Sequence, residues 1–581
     1  MRRLLRWILR TALTILVLVA IAAISDYVSH RVPNNSVLMV KLTGPLVERG
    51  ATGVLGLFNP HQTSLNYVRR AINQGAKDPR IAGLAIKVID PEMELAQAQE
   101  LADLIKGFAS KGKWTTAYIE TAGESGPGNL PFMVASAAHE VSLMPQGELN
   151  IIGVGVRELF ARGTLDWLGI RPNFASIGQY KTAANMFTNK DFTQPQREED
   201  EALVSDMFDQ IVNASASERQ LSPEAIRAVV DQAPLTAAAG LKAHLVDRLE
   251  YEDEFTERVK HYGGGDHPVE KYENYSRGRL FGGFGARDRI AVIYGDGAIE
   301  RGQGGFDPLL SPGGTSMGSD DIASAFKTAR DDDSVRAVVF RINSPGGSVI
   351  GSELIRRQVE LTQRKKPVVV SMSSYAASGG YWVATPADKI LADPGTITGS
   401  IGVLGGKFNV FPAAQKIYLN SAAVTRGANV EMFDEFTDFT PTQMKMFQEQ
   451  VLGDTYQYFL KIVAAGRHLP VEQVNNLAQG RVWTGRQALA NKLIDAIGGF
   501  DDAMREARTM ARLSPDQAVS IVELPEQPGF IQALLSGRTS GALPLAEPSA
   551  RILQPIVHLV GAALRHRGAF GEAYCPIVPV M

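Results

Sequence analysis

The chain has 581 residues, 45% hydrophobic and 21% charged, with a net charge of -3, values that suit several globular domains with large buried cores. That balance, with no basic stripe interleaved with aromatic residues, argues against a nucleic-acid partner. The single cysteine, Cys575, excludes an intrachain disulfide and a cysteine-based metal cluster, and it leaves the redox compartment open.

At the N-terminus Arg2, Arg3, Arg6 and Arg10 precede Thr11–Ser25, a run without charge that Asp26 closes. Residues 4–25 are long enough to cross a bilayer if the two arginines inside the segment snorkel to its surface. The expected arrangement is a single-pass anchor over residues 1–30, with the arginines in the cytoplasm and the remainder exported. Ala20-Ile21-Ala22 supports the competing reading of a cleaved leader.

The chain then repeats itself. Ser36–Val47 reads as a strand and is matched by Arg289–Ile299, and Ile81–Lys87 is matched by Val335–Arg341. Helical spacing over Ala96–Lys111 returns over Ser352–Arg364, and the strand Trp114–Ile119 returns as Pro367–Val370. Phe132–Val141 pairs with Tyr381–Ile390, and Leu241–Asp247 with Leu489–Asp495, at an offset of roughly 250 residues throughout. Alternating strands and helices predict two copies of one α/β unit with parallel sheets, each ending in a helical extension. The expected division is a first copy over 31–261, a glycine-punctuated linker over 262–288, a second copy over 289–513 and a tail over 514–581. The tail is rich in Pro, Gly and Ala, with one apolar stretch at Ile552–Leu564, and reads as loosely structured or as a peripheral helix used in assembly.

Chemistry-bearing residues concentrate in the second copy. Asn343-Ser344-Pro345-Gly346-Gly347-Ser348 follows a strand directly, and two glycines there free backbone N–H groups to face a developing negative charge. The first copy has Asp90-Pro91-Glu92-Met93 instead. Farther on, Val368–Val370 end a buried strand, Ala376-Ala377-Ser378-Gly379-Gly380 turn the chain, and Tyr381 begins an apolar helix. Ser378 therefore sits at a strand-to-helix corner with its hydroxyl exposed near a helix N-terminus, where the first copy has about Asn129. A packing turn or helix cap is the alternative reading of such a corner.

A nucleophilic serine needs a base. Six of the nine histidines fall in the membrane-proximal entry, the linker or the tail, and His139, His244 and His468 have no neighbouring Asp pattern to suggest a triad. A lysine serves only where burial lowers its pKa. Lys181 follows the uncharged run Asn173–Tyr180, although a solvated surface position is the default for any one lysine.

AASGGYW, NSPGG, Thr398-Gly399-Ser400-Ile401-Gly402-Val403 and Gln179-Tyr180-Lys181, behind an N-terminal anchor, resemble the long, duplicated form of the bacterial signal peptide peptidase of the SppA type. The resemblance spans about residues 36–512. It implies two tandem crotonase/Clp-protease-like α/β units and a Ser-Lys dyad shared between them. Ser378 would be the nucleophile, Lys181 the general base, Gly346 an oxyanion N–H donor with Gly347 supporting its loop, and Ser400 the residue orienting the lysine. It further implies no cofactor and no metal, remnant signal peptides and other peptides as substrates, and a homotetramer. The expected location is the bacterial inner membrane with the catalytic part on the periplasmic side. A crotonase-like acyl-thioester enzyme and a non-catalytic membrane scaffold are the competing functions. An export signal disfavours the first, and glycines and a corner serine lost from one copy only disfavour the second.

Overall fold

The computed structural model describes residues 32–50, 63–124, 126–277, 287–305, 316–514, 517–526 and 572–573. The expected anchor, the glycines at 282–285 and the apolar stretch 552–564 lie outside the described residues. Among those described, no helix is long and apolar enough to cross a membrane.

The first copy runs β1 (Ser36–Val47), α1 (Leu65–Lys77), β2 (Ile81–Glu92), α2 (Leu95–Ala109), β3 (Trp114–Ile119), α3 (Asn129–Ser136) and β4 (Glu140–Leu143), followed by β5 (Arg171–Ile177) and the long helix α4 (Gln194–Arg219). The second runs β6 (Asp288–Asp296), α5 (Ser319–Asp331), β7 (Val335–Ser344), β8 (Gly347–Ser348), α6 (Val349–Gln363), β9 (Val368–Ala377) and α7 (Gly379–Ala384). It continues with β10 (Ile397–Gly399), β11 (Val403–Asn409), β12 (Val482–Thr484), α8 (Phe500–Met510) and β13 (Val519–Leu524), and a short strand β14 (Glu572–Ala573) lies near the C-terminus.

Each copy builds its own sheet. In the first the order is Val269–Lys271, β1, β2, β3, β4 and Arg248–Leu249, all parallel. In the second it is β12, β10, β9, β7, β6 and β13, parallel except for the β12–β10 pair. Strands in such sheets are covered on both faces and so read as continuous apolar runs. Val338 and Phe340 of β7 join the core beneath α5, α6 and α7, whereas Val339 joins the one beneath α8.

Two stretches differ from the composition-based expectation. Val269–Lys271, within the glycine-punctuated 262–288, extends the first sheet, and Tyr272 and Tyr275 bury their rings in that copy's core while the Tyr275 hydroxyl bonds Asp78 at 3.0 Å. Val519–Leu524, within the expected tail, is a six-residue edge strand parallel to β6. In both places glycine and proline bound a short β-forming segment, and composition averaged over the window hides it.

A third sheet joins the copies, in the order Ser316–Gly318, Ala298–Glu300, β8, β14, β11, β5. Here β5 of the first copy pairs antiparallel with β11 of the second, from Ile177 opposite Val403 to Arg171 opposite Asn409. A buried ion cluster makes a second junction. Arg341 on β7, 1% exposed, donates to Glu48 beyond β1 at 2.8 Å and to Glu100 on α2 at 2.8 Å. The same guanidinium reaches the hydroxyls of Ser371 and Ser373 on β9 at 2.9 and 3.0 Å. Arg69 on α1 also bonds Glu100 at 2.9 Å, and although burial pushes the Glu100 carboxyl up, Arg341 and Arg69 hold it down at about 2.

Removing one partner of a buried ion pair strands the other charges away from water. Arg341→Ala is expected to destabilise the chain by about 3–5 kcal/mol, read as a lowered urea midpoint. Arg341→Lys should recover only part of this, because one ammonium cannot fork between two carboxylates. A midpoint unchanged in Arg341→Ala would show that the cluster does not hold the copies together.

Candidate active site

Strand β9 continues past the valines to Ala377, farther than its apolar run predicts, because Ser371, Ser373, Ser374, Ala376 and Ala377 remain extended and buried. The turn is then made by one residue. Ser378 has φ 54° and ψ -113°, a left-handed conformation that costs a non-glycine residue about 1–3 kcal/mol and is held only by its surroundings. Its N–H donates to the Gly399 carbonyl at 2.8 Å and its carbonyl accepts from Trp382 N–H at 2.8 Å. The hydroxyl, expected to be exposed at this corner, is instead enclosed, with Ser378 buried and its Oγ against a lysine of the other copy. The helix that follows, α7, has six residues, so few peptide dipoles sum at its start and the expected helix-end contribution is small. At the same corner of the first copy, the residue preceding α3 is Gly128, one position before Asn129.

Lys181 reaches this corner from the other copy. Its Nζ lies 2.8 Å from Ser378 Oγ, 2.9 Å from Ser400 Oγ and 3.1 Å from the Ser400 carbonyl oxygen. Ser378, Lys181 and Ser400 are 0%, 3% and 1% exposed, so the solvated-surface default for this lysine does not hold. Ser400 is itself left-handed, with φ 50°, and its N–H donates to the Arg481 carbonyl at 2.7 Å.

The loop after β7 closes the third side. Gly346 and Gly347 have φ 110° and 147°, conformations that favour glycine. The Gly346 N–H donates to Ser344 Oγ at 3.2 Å, while the Gly347 nitrogen lies 3.1 Å from the point a Cβ on Gly379 would occupy. Gly347 N therefore approaches the residue that follows Ser378. The side chain of Asn343 fastens this loop, donating to Asp296 at 3.0 Å and accepting from Tyr375 N–H of β9 at 3.2 Å. In the first copy β2 continues through Asp90-Pro91-Glu92 as strand with one irregularity, a register shift against β1 at the left-handed Asp90 (φ 46°), and no glycine loop forms there.

Residues absent from the motif reading complete the lysine's seat. Gln479 accepts the Tyr180 N–H on its carbonyl at 2.8 Å, and a Cβ on Gly480 would fall 2.4 Å from Lys181 N. Arg481 lies over the Tyr180 ring at 4.8 Å and pairs with Glu198 at 3.1 Å. The only sequence signal for this loop is a glycine before Arg481-Val482-Trp483. On α4, Glu199 accepts the Val482 N–H; burial first, then Asp200, pushes its carboxyl up to about 8, against the pull of Val482 N–H, Arg481 and Lys181. At neutral pH Glu199 is thus mostly uncharged and lends the lysine no full counter-charge. Among the described residues no histidine hydrogen-bonds Ser378. His139 meets Thr115 of β3, and His244 and His468 are left-handed residues at turns.

A duplicated α/β scaffold that buries a strained serine against a lysine, beside a glycine loop, brings together the residue types that nucleophilic catalysis by a hydroxyl uses. The profile of Peptidase family S49 matches residues 108–263 and 360–514, one region in each copy, and the chain belongs to that family. It is a serine peptidase, not an acyl-thioester enzyme or a scaffold. Protease 4 of Salmonella typhi is 29% identical over 88% of this chain and 86% of its own length, and Protease 4 of Haemophilus influenzae is 31% identical over 83% and 79%. The chloroplastic serine protease SPPA of Arabidopsis thaliana is 28% identical over 93% of this chain and 79% of its own length.

Raising an acid's pKa on folding costs stability once the unfolded chain would ionise it. For Glu199, raised from 4.5 to about 8, the penalty is absent below pH 4.5, grows with pH and is full above about 8. Glu199→Gln keeps the acceptor for Val482 N–H and removes the titration. It should melt several degrees above the parent at pH 8.5, with the gap closing towards pH 5. A gap equal at both values would show that Glu199 is not held neutral.

Proposed function

We propose that the chain is a membrane-anchored endopeptidase in which Ser378 and Lys181 form a dyad shared between the copies. The observation that carries this reading is the 2.8 Å contact between Lys181 Nζ and Ser378 Oγ in a buried corner. In its neutral form Lys181 accepts the Ser378 proton as Oγ attacks the scissile carbonyl. The oxyanion is held by the loop amides, with Gly347 best placed and Gly346 joining if it releases Ser344. Ser400 keeps the lysine aimed through its hydroxyl and carbonyl. Lys181 then returns the proton to the leaving amine, and a water that it deprotonates resolves the acyl-enzyme. The fold is read as two crotonase/Clp-protease-like units.

The substrates we infer are remnant signal peptides and other extended peptides. One relative, 31% identical over 36% of this chain and 61% of its own length, carries the name putative signal peptide peptidase SppA of Enterococcus faecium. Four arginines before an uncharged run support an anchor over residues 1–30 in the bacterial inner membrane, with the peptidase on the periplasmic side. We read the assembly as a homotetramer.

Lys181→Ala should lower peptide cleavage on the order of a thousandfold or more and abolish fluorophosphonate labelling of Ser378, with the fold intact. Lys181→Arg should be equally inactive, since a guanidinium does not deprotonate. His139→Ala and His244→Ala should cleave normally. Near-normal turnover by Lys181→Ala would remove the lysine from the mechanism. For placement, the full chain should resist carbonate extraction from membranes, yield to protease only from the periplasmic side, and scatter light in detergent with the mass of four chains. A soluble mature form beginning near Ala23, or an active monomer, would overturn the corresponding part.

A further inference from the structure

Three side chains at the edge of the site, Tyr180, Arg481 and Trp483, take no part in the proton transfers assigned to Ser378 and Lys181. Arg481 leads into β12 and Trp483 lies two positions farther on, so both side chains leave the chain on one face. The Arg481 guanidinium sits 4.6 Å from the centre of the Trp483 ring and 4.8 Å from that of Tyr180, which belongs to the other copy. Glu198 on α4 closes the group, accepting from Arg481 at 3.1 Å and from the Tyr180 hydroxyl at 3.0 Å.

Each of the three is joined to a different member of the site. Tyr180 directly precedes Lys181. The Arg481 carbonyl accepts the Ser400 N–H at 2.7 Å, and the Ser400 hydroxyl meets the lysine at 2.9 Å. Trp483 packs on Gly399, where an added Cβ would fall 2.8 Å from the indole, and the Gly399 carbonyl accepts the Ser378 N–H at 2.8 Å. One assembly of two rings and a guanidinium thus reaches the backbones of the base, the residue that aims it and the nucleophile. The pairing of β5 with β11 ends at Ile177, so Gly178 and Gln179 carry the chain beyond the seam before Tyr180 is caught, its N–H by the Gln479 carbonyl and its ring by Arg481.

Stability alone accounts poorly for this arrangement. The Arg481 side chain is 21% exposed and that of Glu198 54%, and cation–π contacts and ion pairs open to water contribute little to folding. A planar guanidinium can lie on aromatic faces while donating to a carboxylate, which fixes direction as well as distance. We propose that Arg481 is a positioning residue of the peptidase, whose stack with Tyr180 and Trp483 holds Lys181 in line with Ser400 and Ser378 across the two copies. The inference rests on the dyad reading of Ser378 and Lys181. A base out of line slows the chemical step and leaves peptide binding as it was.

The test follows the full chain in three ways: cleavage of a fluorogenic peptide, the rate constant for fluorophosphonate labelling of Ser378, and the melting temperature. Arg481→Met should lower kcat by about tenfold to a hundredfold, with KM within about twofold of the parent, and slow labelling by a similar factor. Tyr180→Ala should do the same from the other copy, and Tyr180→Phe, which keeps the ring, should recover most of the loss. Tyr180→Ala combined with Arg481→Met should be no slower than the slower single variant, because both remove one contact. If Arg481→Met does not fold, the two Tyr180 variants decide. Parental kcat in Tyr180→Ala or Arg481→Met overturns the proposal, and so do losses that multiply in the double variant. Tyr180→Phe as slow as Tyr180→Ala also overturns it, by placing the effect in the hydroxyl bond to Glu198. So does a lowered melting temperature with a parental labelling rate constant and only a smaller fraction of chains labelled, which marks a folding defect. Lys181→Ala separates the two readings. Parental labelling by that variant removes the dyad itself, whereas an inactive Lys181→Ala beside a fully active Arg481→Met removes only the role of Arg481.

Discussion

Everything at the site depends on one seam, the antiparallel pairing of β5 with β11. Lys181 and Ser378 are 197 residues apart and belong to different copies, so no local preference can bring them together. The seam runs for seven residues of β5, and Lys181 follows four positions after its last paired residue, Ile177. A slip of one residue would turn every side chain of β5 to the opposite face and move the lysine with it. The chain pins the register just beyond the seam by close backbone approach. Gly178, with φ 110°, would carry a Cβ only 2.4 Å from the Gln479 carbonyl carbon, and Gly480 packs on Lys181 itself.

The ion cluster does for the second sheet what the seam does for the lysine. β7 ends in the glycine loop and β9 ends in Ser378, and Arg341 grips both strands while anchoring them to Glu48 and Glu100 of the other copy. The matching position in the first copy is Lys87, which bonds Glu252 and Thr256 of its own copy at 2.8 and 2.9 Å. A forked guanidinium can span two carboxylates and two hydroxyls, whereas an ammonium meets partners as a point charge. The duplication thus placed a cation at equivalent points, and the copies diverged in which neighbour it serves.

The repeat, the parallel sheets and the serine corner were legible because each is a local pattern: apolar strand runs, glycines after a strand, small residues before an aromatic helix. Lys181 stood out only through the family resemblance, since its burial is created by Ser400 and Gln479–Arg481, hundreds of positions away. The full extent of β9 is not legible because serine and alanine carry no apolar signal even when fully buried. Val269–Lys271, β13 and β14 are hidden for a related reason, being short strands set in stretches rich in glycine or proline. Asn343 belongs to the motif that follows β7, yet its use as a brace between Asp296 and Tyr375 is a property of the folded loop alone.

The left-handed Ser378 has a consequence for the order in which the chain is made. Its backbone is held by the Gly399 carbonyl, the lysine beside it by the Gln479 loop, and both by a seam whose second strand is β11. During synthesis the lysine emerges first, the serine nearly two hundred residues later, and the last of their supports a further hundred after that. A half-made chain therefore holds both residues without the buried corner in which they meet.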